Sequence, residues 1–214
     1  MIKNLCLESN EHVQYLFSHN HITRRESLAM QVTHEKQKIP PVYLKPKINK
    51  PFYPSTGTFQ ARAVVSTFRG PLYALDKYMS KITSPIMAML RGLLKNSDQL
   101  IEEIANSSSA ARKIEHGVLC PDDHSSEHIC FAAAQVVEMY PSIDIEEGLT
   151  AASKVYGCCY LMLCDQFRQQ QLLPPVHPKI FKEVLKFLLT NSFISYQNKR
   201  FYRQIKGIPM GGCV

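Results

Sequence analysis

The chain has 214 residues, of which 45% are hydrophobic and 20% charged, so it is long enough to bury one sizeable core in one domain or two lobes. Its formal net charge of +7 favours an anionic partner, with nucleic acid as the leading class and a merely solvated basic surface as the alternative. It contains no run of about 18 apolar residues that would span a bilayer, and its seven scattered cysteines fit reduced thiols better than a disulfide framework. We therefore expect an intracellular protein, nuclear or cytoplasmic, with no membrane partner.

The N-terminal third of the chain divides into a polar segment and a basic, proline-rich segment. Residues 1–37 are mixed and polar, with ITRRESLAMQ as their one helix-like piece, and the sequence assigns them no function. Six prolines within Lys38–Pro71 exclude a long helix there. We expect this segment to be a basic loop that leads into a strand at Ala61–Ser66.

After Leu72 the pattern changes to helical spacing. Apolar residues recur every three or four positions, which predicts one buried helix face, with Pro85 kinking or dividing the helix. The residues of this face are Leu75, Tyr78, Met79, Ile82, Ile86, Met89, Leu90 and Leu93. The segment KNSDQLIEEIAN predicts a second helix, capped by Asn96 or Ser97. The polar connection at 107–128 is the best candidate for a boundary between lobes.

The C-terminal half predicts a strand, two helices and a hairpin. The strand is expected at Ile129–Met139, and the helices at about Ile145–Gln171 and Pro178–Leu189. FISYQNKRFYRQI predicts a β-hairpin that turns at Asn198 and Lys199. The glycine-rich turn KGIPMGGCV follows the hairpin.

Two sets of basic side chains have the chemistry to bind phosphates. Lys45, Lys47 and Lys50 lie two or three residues apart in a proline-stiffened loop, and Arg62 follows on the next strand. Arg offers a planar fork of donors and Lys a compact charge, and both bind phosphate oxygens. The second set belongs to the hairpin and the glycine-rich turn: Lys199, Arg200, Arg203 and Lys206. Solvated loop cations are the alternative interpretation of both sets.

The segment CPDDHSSEHIC places two cysteines and two histidines at spacings that a zinc ion would accept. These residues are Cys120, His124, His128 and Cys130. The spacing is not one of the common zinc-finger patterns, so a polar loop beside a buried cysteine is the favoured interpretation. Cys158, Cys159 and Cys164 fall on a predicted helix and are interpreted as core packing.

Five sequence blocks resemble, in order, the fingers and palm motifs of reverse transcriptases: VYLKPKINK, ARAVVSTFRGPLYALDKYMSKITSPI, LLKNSDQLIEEI, VVEMYPSID and FISYQNKRFYRQIKGIPMGG. They are most similar to Penelope-like retroelements, whose motifs read Tyr-x-x-Pro-Lys-x-His-Lys, Arg-Pro-Ile-Val-Ser, Asp-Val-x-x-x-Tyr and Tyr-x-Gln-x-x-Gly-x-x-Met-Gly. The resemblance covers about Lys38 to Val214. It implies an α+β right-hand polymerase fold, with fingers at 38–120, a partial palm at 121–214 and no thumb.

The resemblance also implies roles for individual residues. Arg62 and the loop lysines would hold the triphosphate of an incoming deoxynucleotide and the template backbone. Tyr140 would gate the ribose 2′-hydroxyl, and Met210 and Gly211 would approach the template and the incoming base. The remaining nucleic-acid contacts would come from Gly207, whose missing Cβ permits close approach, and from the hairpin cations.

The chain departs from the family pattern where the family binds Mg²⁺. The metal-binding Asp, five residues before the aromatic of its motif, falls on Gln135, and a neutral amide does not neutralise a divalent cation. Glu138 would point to the opposite face of the strand, and Asp144 lies beyond the proline turn. The family's Tyr-x-Asp-Asp hairpin is expected after the glycine-rich turn and is absent from the sequence.

We therefore expect a reverse transcriptase fragment that binds an RNA template, a DNA primer and a deoxynucleoside triphosphate, but that neither binds the family's Mg²⁺ nor catalyses synthesis. The alternative is a non-catalytic nucleic-acid-binding protein that reuses the basic fingers. A helical interaction protein without nucleic acid is disfavoured, because the basic loops would then have no purpose.

Overall fold

The computed structural model describes residues 1–47, 57, 61–90, 96–106, 139–197 and 199–209. Within these ranges the chain forms seven helices and two two-stranded antiparallel sheets, so the fold is α+β. One compact unit comprises Met1–Met87 and Glu138–Val214, and a second comprises Ala88–Val137. Among the described residues, no helix combines the length and the apolar character needed to cross a membrane.

The N-terminal segment contains two helices, of which the sequence pattern predicted one. Helix α1, Ile2–Ser18, was missed because its buried stripe mixes apolar with small polar side chains. The buried residues of this stripe are Leu5, Cys6, Ser9, Val13 and Leu16. Helix α2, Arg24–Met30, confirms the predicted helical piece and begins with a capping box in which Thr23 and Glu26 bond reciprocally.

A hairpin replaces the loop that was expected after Lys38. Strand β1, Val42–Pro46, pairs antiparallel with strand β2, Ala61–Val65. The second strand confirms the predicted one to within a residue. The first was missed because its prolines suggested a loop, although proline is tolerated at the ends and edges of strands.

Helix α3, Tyr73–Met89, runs through Pro85 without interruption. The predicted apolar face is buried at Leu75, Tyr78, Met79, Ile82 and Ile86. Since this burial continues on both sides of Pro85, core packing holds the helix together across the missing N–H group. Met89 and Leu90 are exposed, and Leu93 lies outside the described residues.

Helix α4, Ser97–Asn106, belongs to the second unit. The Oδ1 atom of Asn96 accepts a hydrogen bond from the backbone N–H of Gln99 at 3.0 Å. Asn96 is therefore the N-cap, one of the two candidates that the sequence offered.

The C-terminal half begins with a short helix, α5, at Met139–Ser142. The strand predicted at Ile129–Met139 lies outside the described residues except for Met139, which is helical. Helix α6, Ile145–Gln169, and helix α7, Pro178–Thr190, confirm the two predicted helices.

The core of the first unit is formed by α1, α3, α6 and α7. At its centre the ring of Tyr156 on α6 stacks on the ring of Phe181 on α7, with 3.9 Å between centroids. The Tyr156 hydroxyl donates a hydrogen bond to the carbonyl of Val176 at 2.8 Å. The aromatic pair joins the two long C-terminal helices, and the hydrogen bond satisfies the buried Tyr156 hydroxyl.

Strands β3, Phe193–Tyr196, and β4, Arg200–Arg203, form the predicted hairpin. The backbone N–H of Ser195 donates to the carbonyl of Pro40 at 2.7 Å, and its hydroxyl donates to the carbonyl of Ile39 at 3.1 Å. The second hairpin is thereby fixed to the residues that lead into the first, so both basic segments belong to one unit.

Candidate nucleic-acid interface

The first hairpin brings together two cations that the sequence separates. Lys45 on β1 lies directly opposite Arg62 on β2, and both side chains are exposed. Opposite residues of an antiparallel pair project from the same face, with Cβ atoms about 4.5–5.5 Å apart. One face of the hairpin therefore presents an ammonium and a guanidinium group side by side.

This arrangement does not favour folding. Like charges directly opposite each other on a sheet repel, so the pair destabilises the hairpin in the absence of an anion. A phosphate bound between the two groups would relieve the repulsion and gain charge-assisted hydrogen bonds from both. Lys47, which follows β1, is partly buried, and Lys50 lies outside the described residues.

A second long-range contact joins the end of helix α5 to the glycine-rich turn. Gly207 has a φ of +73°, and an added Cβ would lie 2.6 Å from the Tyr140 carbonyl oxygen and 2.6 Å from the Pro141 Cα. The backbone N–H of Ile208 donates to the Tyr140 carbonyl at 2.9 Å. Only glycine fits this position, because it combines a left-handed conformation with direct backbone contact.

This contact places Tyr140 and Pro141 of α5, which we call the Tyr140 turn, beside the glycine-rich turn. The resemblance assigned nucleotide and nucleic-acid contacts to both segments. The Tyr140 side chain is exposed. Met210 and Gly211, the other predicted members of this site, lie outside the described residues.

The second hairpin carries cations in two different environments. The Nε atom of Arg203 donates to the carbonyl of Thr190, the last residue of α7, at 3.0 Å. A cation at a helix C-terminus interacts favourably with the helix dipole, so Arg203 stabilises the end of α7 whether or not a ligand is bound. Lys199, Arg200 and Lys206 are exposed.

The acidic side chains of the described ranges do not neutralise these cations. The ion pairs within those ranges join Lys81 to Glu26, Arg168 to Asp165 and Lys186 to Glu146. None of them includes a predicted phosphate-binding residue. The exposed cations of both hairpins are therefore available to an external anion.

The described residues do not form a metal site. They contain no group of three or more His, Cys, Asp or Glu side chains that would hold a metal ion. Gln135 and the candidate zinc ligands Cys120, His124, His128 and Cys130 lie outside the described residues.

Asp144, which the sequence analysis weighed as a substitute carboxylate, is the N-cap of α6. Its Oδ1 atom accepts hydrogen bonds from the backbone N–H groups of Glu146 at 2.9 Å and Glu147 at 3.0 Å. This carboxylate is thus used in capping the helix, and we derive no catalytic step through a metal.

One feature near the second hairpin was not predicted. An apolar cleft of about 80 Å³ is lined in part by Asp76, which is 6% exposed and whose carboxylate accepts a hydrogen bond from the Thr67 hydroxyl at 3.1 Å. The one signal in the sequence was an acid in the first turn of an otherwise apolar helix face, which is also the usual position for a favourable helix-dipole interaction.

Comparison with family models, with curated proteins and with solved structures finds no match to this chain.

Proposed function

We propose that the chain is a reverse-transcriptase-type domain, similar to those of Penelope-like retroelements, that binds primer–template RNA/DNA without catalysing DNA synthesis. The observation that carries the proposal is the exposed pair formed by Lys45 and Arg62. Two cations held side by side without a carboxylate partner in the described ranges suit one phosphate of a nucleic-acid backbone or the triphosphate of a deoxynucleotide.

The contact between Gly207 and the Tyr140 turn supports the polymerase assignment. The proposal requires the aromatic gate and the glycine-rich turn to act on one nucleotide, and hence to be neighbours. Residues 38–120 then correspond to the fingers and residues 121–214 to part of the palm.

Binding without chemistry is proposed because the two functions depend on different residues. Phosphate contacts need cations, and the hairpins supply them. Two-metal phosphoryl transfer needs several carboxylates, and the sequence has Gln135 where the resemblance expects one of them.

The proposal is tested by titrating the folded protein into a labelled primer–template duplex over a range of salt concentrations. We expect binding that is independent of sequence and that weakens steeply as salt increases, because bound cations displace condensed counterions. Primer extension with Mg²⁺ and deoxynucleotides should give no product.

Paired charge variants make this experiment specific. The double variant Lys45→Ala/Arg62→Ala should weaken binding and reduce the magnitude of the salt slope by about 0.9, because the two cations together contact one phosphate. The control Lys81→Ala/Lys186→Ala also removes two positive charges, but from residues that already pair with Glu26 and Glu146. Failure of the folded protein to bind at low salt would overturn the proposal, and equal losses in both variants would show that net charge alone drives binding.

The second candidate function is a non-catalytic nucleic-acid-binding protein that reuses the basic fingers and retains no nucleotide site. The exposed hairpin cations favour it equally. The two candidates differ at Tyr140. If a deoxynucleotide complementary to the template strengthens binding to the primer terminus, and Tyr140→Ala abolishes that gain, the polymerase-type domain is favoured.

A further inference from the structure

The two faces of the second hairpin have different surroundings. Side chains alternate across a strand, so the register places Phe193, Ser195, Phe201 and Arg203 on one face and Ile194, Tyr196, Arg200 and Tyr202 on the other. The first face points towards the body of the unit, because Ser195 is buried, Phe193 lines the apolar cleft and Arg203 bonds to α7. The second face is therefore the outer one.

The outer face carries two large aromatic side chains that are half exposed. Tyr196 is 50% exposed and Tyr202 is 49% exposed. Tyr202 lies opposite Ile194, two residues before Tyr196, so the two tyrosines are diagonal neighbours, about 7–8 Å apart. One unpaired strand can therefore contact both rings.

Positive charge surrounds these rings. Arg200 lies directly opposite Tyr196 on the same outer face, Lys199 lies in the turn, and Lys206 follows the hairpin. None of these three cations takes part in an ion pair within the described part of the chain. The surface combines flat π faces with unneutralised cations, and this combination is typical of proteins that bind single-stranded nucleic acid without sequence preference.

We propose that the outer face of the second hairpin, formed by Tyr196, Arg200 and Tyr202, is a stacking platform for unpaired bases of the nucleic acid. The inference rests on the proposed function and deepens it, because it assigns the single-stranded part of the template to this hairpin and the phosphates of the duplex or nucleotide to Lys45 and Arg62. Arg200 and Lys199 would bind the phosphates between the stacked bases.

A comparison of ligands separates the two assignments. Tyr196→Ala and Tyr202→Ala should each weaken binding of a single-stranded oligonucleotide, DNA or RNA, by about tenfold, which is within the range known for base–aromatic stacking. Binding of a blunt duplex should not change. The matched control is Phe201→Ala, which removes an aromatic side chain of similar exposure, 52%, from the same strand but the opposite face. This control should leave both affinities unchanged.

The composition offers a second measurement that does not depend on truncating a side chain. The chain contains no Trp, so each single tryptophan variant carries one specific fluorescent probe. The emission of Tyr202→Trp should be quenched when an oligonucleotide stacks on it, whereas that of Phe201→Trp should not. Both substitutions keep an aromatic residue at an exposed strand position, where it is well tolerated.

The outcomes distinguish the inference from the function on which it rests. If the wild-type protein binds primer–template while the tyrosine variants and Phe201→Ala bind the single strand equally well, the stacking platform is wrong and the proposed function stands. Equal quenching in the two tryptophan variants would also overturn the platform. If the folded wild-type protein binds neither ligand, both proposals are wrong.

Discussion

The contact at Gly207 gives the most specific stability prediction for this fold. Its φ of +73° lies in the left-handed region, which costs a residue with a Cβ roughly 1–2 kcal/mol. In Gly207→Ala the new Cβ would also lie 2.6 Å from the Tyr140 carbonyl oxygen and from the Pro141 Cα, both of which are backbone atoms. These atoms belong to the main chain and cannot move aside as a flexible side chain would.

Relief of this overlap requires one of the two backbones to shift, and overpacking of this kind costs roughly 1–3 kcal/mol. Together with the cost of the left-handed conformation, the expected loss is about 2–5 kcal/mol. Since domains are stable by roughly 5–15 kcal/mol, this is a large fraction of the total. For a chain of this size it corresponds to a decrease in Tm of about 4–20 °C.

Two other glycines allow the two contributions to be measured separately by urea and thermal unfolding. Gly57 also has a positive φ, +62°, but nothing lies within 4 Å of an added Cβ, so Gly57→Ala should show the conformational cost alone. Gly157 lies in α6 with open space around it, and Gly157→Ala should stabilise the protein by about 0.5–1 kcal/mol.

The difference between the Gly207 and Gly57 variants therefore measures the backbone contact. If Gly207→Ala destabilises the protein no more than Gly57→Ala, the glycine-rich turn does not pack on the Tyr140 turn, and the main support for a shared nucleotide site is lost.

Three further predictions concern charge, hydrogen bonding and pH. Lys45→Glu places opposite charges across the first hairpin, so it should raise Tm slightly and yet weaken salt-sensitive binding of nucleic acid; a lower Tm together with weaker binding would indicate misfolding. Tyr156→Phe leaves the Val176 carbonyl without its donor and should lower the free energy of unfolding, measured in urea, by about 1–3 kcal/mol. An unchanged free energy of unfolding would contradict this prediction. Burial raises the pKa of Tyr78 and of Tyr156. Above about pH 10 the unfolded chain therefore loses tyrosine protons that the folded chain retains. The free energy of unfolding should be insensitive to these groups below that pH and should fall above it. Unfolding experiments at pH 8 to 11 measure this dependence.

The elements that the sequence predicted well have local signals. Helix α6 begins after the cap Asp144, and helix α7 begins with a proline at its first position. The second hairpin has strand-forming residues on both sides of a polar turn. Because these signals act within a few residues of each other, one sequence is enough to detect them.

The elements that were missed depend on partners distant in the sequence. Strand β1 is a strand because β2 pairs with it, and strand preference reflects such context more than composition. Helix α1 buries Ser9 alongside apolar residues, which weakens its periodic signal. The same limit applies to the candidate interface: the sequence offered the cations and glycines as candidates, but it did not show that Lys45 lies opposite Arg62 or that Gly207 contacts Tyr140 and Pro141.

The position of Asp144 bears on whether binding and catalysis can be separated in this chain. Its Oδ1 atom already accepts two backbone N–H groups at the start of α6, and turning it towards a metal would leave both donors without that partner. This carboxylate is thus committed to capping the helix. The cation pair of the first hairpin and the Gly207 contact, in contrast, need no metal to form. Under the proposed function, a surface that binds nucleic acid can therefore persist without the metal chemistry, because the two depend on different residues.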